Sequence, residues 1–96
     1  MIGIIATFVV KPEETATFEA AIADFVAKVK ATEPGVLTYD CFKSRTDANT
    51  YQMLEIYADQ AALDAHGATD HMKAVIPVLG TAFAAPPKLQ YLDKVS

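Results

Sequence analysis

One cysteine, no tryptophan and few cations set the first limits on this 96-residue chain. Cys41, alone, closes no intramolecular disulfide and cannot by itself build a zinc site. Eight Lys and Arg against twelve Asp and Glu leave a formal charge of −4. A nucleic-acid binder usually shows a basic stripe, and an anionic lipid surface also attracts cations. The sequence is therefore read as binding neither nucleic acid nor membrane. No apolar run approaches the roughly 18 residues needed to cross a bilayer. The apolar stretch Met1 to Val10 has no basic segment and no small-residue cleavage site, so it is not expected to be a secretion signal. A lone thiol without an export signal fits a reducing, cytoplasmic setting. Also missing are G-x-S-x-G, a Walker loop, G-x-G-x-x-G and H-E-x-x-H. Hydrolase, NTPase, dinucleotide and zincin readings therefore lack support.

What is present is apolar. Hydrophobic residues make up 52% and charged residues 21%, which excludes disorder, and the length suits one domain, residues 1–96. The mean hydropathy of +0.20 is high for an acidic domain of this size, which exposes much of its surface. A second copy of the chain is the simplest cover for the excess.

Ile2 to Lys11 is rich in β-branched residues, stops at Pro12 and reads as a strand. Its apolar residues fall on both parities: Ile2, Ile4, Ala6, Phe8 and Val10 on one face, Ile5 and Val9 on the other. Glu13 to Thr32 carries Phe18, Ile22, Phe25, Val26 and Val29 at helical spacing, and Glu33-Pro34-Gly35 stops it. Val36 to Arg45 alternates as a strand, with Leu37, Tyr39 and Cys41 on one face and Val36, Thr38 and Phe42 on the other. After a polar turn, Thr50 to Ala58 returns as its hairpin partner. Asp59 to His66 reads as a short helix with Asp59 as N-cap. A second helix, capped by Thr69 or Asp70, runs to about Ala84 with a kink or break expected at Pro77. Lys88 to Val95 is a last strand. The order β-α-β-β-α-β, with the second helix split, predicts an α+β, ferredoxin-like fold: helices on one face of an antiparallel four-stranded sheet. Apolar residues on both parities then leave the other sheet face uncovered, and a face-to-face homodimer is expected.

Few side chains are candidates for chemistry. His66 and His71 are the only histidines, and five helical steps would set them roughly 140° apart, a poor spacing for a metal pair. They read either as helix-end residues or as polar groups at the mouth of an apolar pocket. Glu55 shares a strand face with Met53 and Tyr57. It either pairs with Lys43 or Arg45 across the hairpin, or is a carboxyl with a raised pKa in a cavity. Tyr39 and Tyr57 read as core aromatics with bonded hydroxyls, or as groups that meet a ligand. Cys41 has no nucleophile motif around it and reads as a small core or interface residue.

One string is specific. Glu33-Pro34-Gly35-Val36-Leu37-x-Tyr39 precedes a hairpin ending Leu54-Glu55-Ile56-Tyr57; Ala62-Leu63-Asp64-Ala65-His66 follows, and then His71-Met72-Lys73. In this order and spacing the motifs resemble the antibiotic biosynthesis monooxygenase family, particularly its small quinol-monooxygenase-like members, over nearly the whole chain. The resemblance implies a homodimer of ferredoxin-like subunits, a dimeric α/β barrel. It also implies oxygenation of a small phenol or quinol without metal, flavin or haem. His71, His66 and Tyr57 would then be catalytic, one histidine as base and Tyr57 bonding the substrate oxygen. Glu55, Tyr39, Met72 and Ile76 would bind substrate, and the helix N-terminus near His71 would favour an anion. Two departures stand out. The family's usual tryptophan after Glu-x is Tyr57 here, and Lys73 to Pro77 lacks the histidine that haem-degrading relatives use. A second relative, the isomerase of phosphorylated autoinducer-2, would need Lys73, Lys43 or Arg45 for a phosphate. A non-catalytic module binding a hydrophobic metabolite is the third reading.

Overall fold

A computed structural model describes all 96 residues. The chain runs β1 (Ile2–Val9), a 3-10 turn (Pro12–Glu14), α1 (Thr15–Thr32), β2 (Val36–Lys43), β3 (Thr50–Tyr57), α2 (Gln60–Gly67), α3 (Asp70–Ala82) and β4 (Lys88–Asp93). The strands form one antiparallel sheet in the order β2-β3-β1-β4, the ferredoxin-like α+β arrangement. No helix is long and apolar enough to cross a membrane.

Strand alternation decides what is buried. Ile4, Ala6 and Phe8 of β1 and Tyr51, Met53, Glu55 and Tyr57 of β3 point to the helices and are buried. The α1 stripe Phe18, Ile22, Phe25 and Val29 packs on them, with Leu79 and Ala82 of α3. At one end of this core, Phe8 stacks on Phe83 at 5.0 Å between ring centroids and meets Phe18 edge-on at 5.9 Å. Cys41 lies opposite Met53 and packs partly buried against the same core.

The opposite sheet face carries no helix. Leu54, Ile56, Phe42, Leu92 and Val9 stand exposed there, around Ile5, which pairs with Leu54 on one side and Gln90 on the other.

Three local expectations are corrected. A bulge between Val36 and Thr38 shifts the β2 register, so Val36, not Leu37, packs on the core, and Leu37 is exposed. The extra residue of a bulge inverts the alternation on one side of it. α1 begins at Thr15 behind a 3-10 turn, because Pro12 favours the first turn of a helix but Glu14 sits at φ −106°. α3 is neither broken at Pro77 nor extended to Ala84: it continues to Ala82.

Candidate active site

A cavity of about 360 Å³ lies between the helices and the sheet. Sixteen of its twenty lining residues are hydrophobic, so its few polar groups dominate what a ligand can bond. The sheet contributes Ile4, Ala6, Met53, Glu55 and Tyr57, and the helices Ile22, Phe25, Leu63, His66, Met72, Val75 and Leu79. Ile76, Pro87, Leu89 and Tyr91 border it and are exposed; they form its mouth.

The polar groups sit together because the strands pair there. Tyr39 is the cross-strand partner of Glu55, and Tyr57 follows two residues on, on the same face. His66, in the last turn of α2, lowers its ring onto them, 5.1 Å from the Tyr39 ring and 5.5 Å from the Tyr57 ring between centroids. Asp59 fixes the start of that helix, accepting from the Ala62 N–H at 2.8 Å, which sets the phase that turns His66 inward.

Two hydrogen-bonded sets result. In the first, the Tyr57 hydroxyl donates to Glu55 Oε1 at 2.6 Å. Its only hydrogen is thereby used, and its oxygen is left as an acceptor. In the second, Tyr39 Oη lies 3.3 Å from His66 Nε2, and His66 Nδ1 lies 2.8 Å from Glu33 Oε1. Glu33 Oε2 bonds His71 Nε2 at 2.5 Å. One carboxylate thus joins both histidines.

Burial sets the charge states. Burial, with the Glu55 and Glu33 charges adding to it, pushes the Tyr39 hydroxyl far above the ordinary phenol range. Burial does the same to Tyr57, helped by its hydrogen bond to Glu55. Both stay as neutral hydroxyls at physiological pH. Burial raises the Glu55 carboxyl above its ordinary value, against the lowering effects of the Tyr57 hydrogen bond and of His66.

Of the residues singled out in the sequence, Tyr39, Glu55, Tyr57, His66, Met72 and Ile76 line the cavity. His71 does not: it stands behind Glu33 in a shallow groove with Asp24, Lys28 and Phe25. The reason is the phase of α3. Thr69, not Asp70, caps it, accepting from the Met72 N–H at 3.2 Å, which turns Met72 to the cavity and His71 toward α1. The same cap takes up one of the first free N–H groups of that helix end, the Met72 amide. Glu55 does not pair with Lys43 or Arg45, because the register sets Lys43 opposite Tyr51 and its ammonium lies 3.7 Å from Glu19. No three His, Cys, Asp or Glu side chains are grouped to hold a metal ion. Glu33 went unassigned in the sequence beyond its place in the helix stop and motif; its separation of 33 residues from His66 gives no local signal.

Comparison with known proteins gives a consistent picture. Residues 1–78 match the family described as antibiotic biosynthesis monooxygenase. The Bacillus subtilis protein named "Putative monooxygenase YcnE" is 33% identical over 86 residues, 90% of each chain. A crystal structure of a "putative antibiotic biosynthesis monooxygenase" from Caulobacter crescentus is 44% identical, with a TM-score of 0.96, over 99% of this chain and 90% of that one. The Pseudomonas aeruginosa protein PA3566 is 26% identical, with a TM-score of 0.88, over 99% and 94%.

Proposed function

The chain belongs to the antibiotic biosynthesis monooxygenase family, and from that premise we propose that it oxidises a small phenol or quinol with O₂, as a homodimer and without a bound cofactor. The observation that carries this reading is the cavity: apolar on most of its wall, with the Tyr39–His66 and Glu55–Tyr57 pairs next to each other in its lining. At about 360 Å³ it falls near the small end of ligand pockets. It suits a flat aromatic body with a hydroxyl at one end.

The chemistry asks for little from the protein. An ionised phenol or quinol can give an electron to O₂ directly, so the site has to hold the anion, orient it and keep water out. The substrate proton goes to His66 Nε2 through the Tyr39 hydroxyl that already meets it. Tyr39 receives the substrate's hydrogen as it passes on its own, and stays a neutral hydroxyl. The Tyr57 oxygen accepts from a second substrate hydroxyl. One oxygen atom of O₂ bonds a ring carbon; the other leaves as water with two hydrogens from the substrate. The substrate thus supplies both electrons that a cofactor would otherwise bring.

A phosphorylated ketone fits this cavity less well, since no Lys or Arg lines it. The test is oxygen uptake by metal-stripped protein across a panel of quinols and polyphenols, with ¹⁸O₂ and product mass. Uptake with one labelled atom per product is expected, and His66→Ala should lower turnover by roughly 10²–10⁴-fold, the range for a lost acid–base group. Binding of these compounds without any oxygen uptake would overturn the reading in favour of a non-catalytic module.

A further inference from the structure

We infer that Glu33 is a positioning residue for this reaction, holding His66 in the tautomer whose bare Nε2 faces the cavity, and that His71 serves to hold Glu33. The inference rests on the monooxygenase reading and adds to it the source of the base's orientation.

The hydrogen-bond inventory fixes the tautomer. An ionised carboxylate only accepts, so the 2.8 Å contact to Glu33 Oε1 puts the hydrogen on His66 Nδ1. A neutral imidazole then has Nε2 free to accept, and Nε2 is the atom that meets the Tyr39 hydroxyl. When Nε2 takes the substrate proton, the imidazolium lies directly against the Glu33 carboxylate. It keeps that proton until the second oxygen atom leaves as hydroxide, to which the proton returns, giving water. The cycle closes without net proton release.

Glu33 is itself held from three sides. Its N–H donates to Val29 O at 3.0 Å, ending α1, and its carbonyl accepts from Val36 N–H at 3.1 Å, starting β2. Its side chain is only 10% exposed, and His71 bonds its second oxygen. The ring of His71 also lies 5.7 Å from that of Phe25, which limits its freedom. His66, at 5% side-chain exposure, has the Tyr39 hydroxyl at Nε2 and this carboxylate at Nδ1. A purely architectural ion pair joining α1 to α2 and α3 would use the same contacts, so the test has to separate orientation from stability.

Glu33→Gln keeps the shape but presents an amide N–H₂ that can face Nδ1, so the tautomer is no longer dictated. Imidazole ¹⁵N shifts should show His66 protonated at Nδ1 in the wild type and mixed or reversed in the variant. With the most active quinol from the oxygen screen, kcat should fall about 10²-fold or more while KM stays within about 2-fold. His71→Ala should lower kcat roughly 10-fold, the cost of losing a partner that orients a working ligand. His71→Gln, which still donates to Glu33, should recover most of it. Unchanged kcat in Glu33→Gln, or a wild-type His66 protonated at Nε2 instead, overturns the inference. If Glu33→Gln does not fold, the wild-type shifts and the two His71 variants decide; equal loss in both His71 variants counts against it. A wild type inert toward every quinol, with Nδ1 protonated, brings down the monooxygenase reading and this role with it. An active wild type with an equally active Glu33→Gln brings down this role alone.

Discussion

At Glu55 two effects oppose each other, and burial wins. Its carboxyl titrates above the ordinary 4.5 because desolvation outweighs the Tyr57 hydrogen bond and the nearby imidazole. Folding therefore favours the protonated form. The contribution is complete below the unfolded value and is lost as pH rises through the folded one. Glu55→Gln keeps an acceptor for the Tyr57 hydroxyl and does not titrate. Its melting temperature relative to wild type should therefore climb as pH goes from about 4.5 toward neutrality; a flat difference would contradict the shift. At Cys41, burial, with the Glu19 charge adding, pushes the thiol up to about 11. At pH 8 its thiolate is scarcer than that of a free thiol near 8.5 by about 10²-fold, and iodoacetamide should label the native protein slower by at least that factor. A rate equal to that of the unfolded chain would show the thiol to be open. The cavity residues themselves were legible in the sequence, since alternation puts Tyr39, Glu55 and Tyr57 on one face and a short helix brings His66 after them. Glu33 was not, because its role exists only once α1, α2 and α3 converge.

Among the elements, the join of β2 and α2 is the tightest constraint. A Cβ added at Gly35 would lie 2.6 Å from Ala62 Cβ, nearer than real Cβ atoms come, and the Gly35 carbonyl accepts from Ala58 N–H at 2.9 Å. Gly35 is required here for space. Glu33, two residues before it, carries the carboxylate to the histidines, so α2 must lie this close for His66 to reach it. Gly35→Ala should cost about 1–3 kcal/mol, as overpacking does. Adding Ala62→Gly should return part of that despite its own helix penalty of about 1 kcal/mol; equilibrium denaturation of the single and double variants measures both. An additive double variant would mean the two residues do not press on each other. The sequence pattern located the three α-helices and four strands, though not the 3-10 turn before α1, because hydrophobic period and caps are local signals. The bulge at Val36–Thr38 escaped it, since Val36 and Leu37 are equally apolar and only pairing with Tyr57 decides which one faces inward.

For the molecule as a whole, the bare sheet face is the ground for the proposed homodimer. Three strands of eight residues and one of six, at about 4.8 Å spacing, present a flat area below about 500 Å² before side-chain relief. A stable interface takes roughly 600–1,000 Å² from each partner, between about a tenth and a sixth of the 5901 Å² surface of this chain. Side-chain relief has to make up the difference, and the side chains at hand are Leu54, Ile56, Phe42 and Leu92, 37–55% exposed, with Ile5 among them. In the proposed homodimer a second copy offers the same apolar set, so a two-fold axis through this face would bury it against itself. Light scattering at micromolar concentration should give twice the 10.3 kDa chain mass; a stable monomer would refute the arrangement. Leu54→Asp sets a carboxylate opposite Ile5 near the centre of the face and should yield a folded monomer. The cavity lies on the other side of the sheet, between it and the helices. The Leu54→Asp monomer should therefore bind the same phenols with an affinity within a few-fold of the dimer. Loss of binding in a monomer that melts cooperatively would show instead that the sheet face and the cavity are coupled, with dimerisation holding Tyr39, Glu55 and Tyr57 in their places.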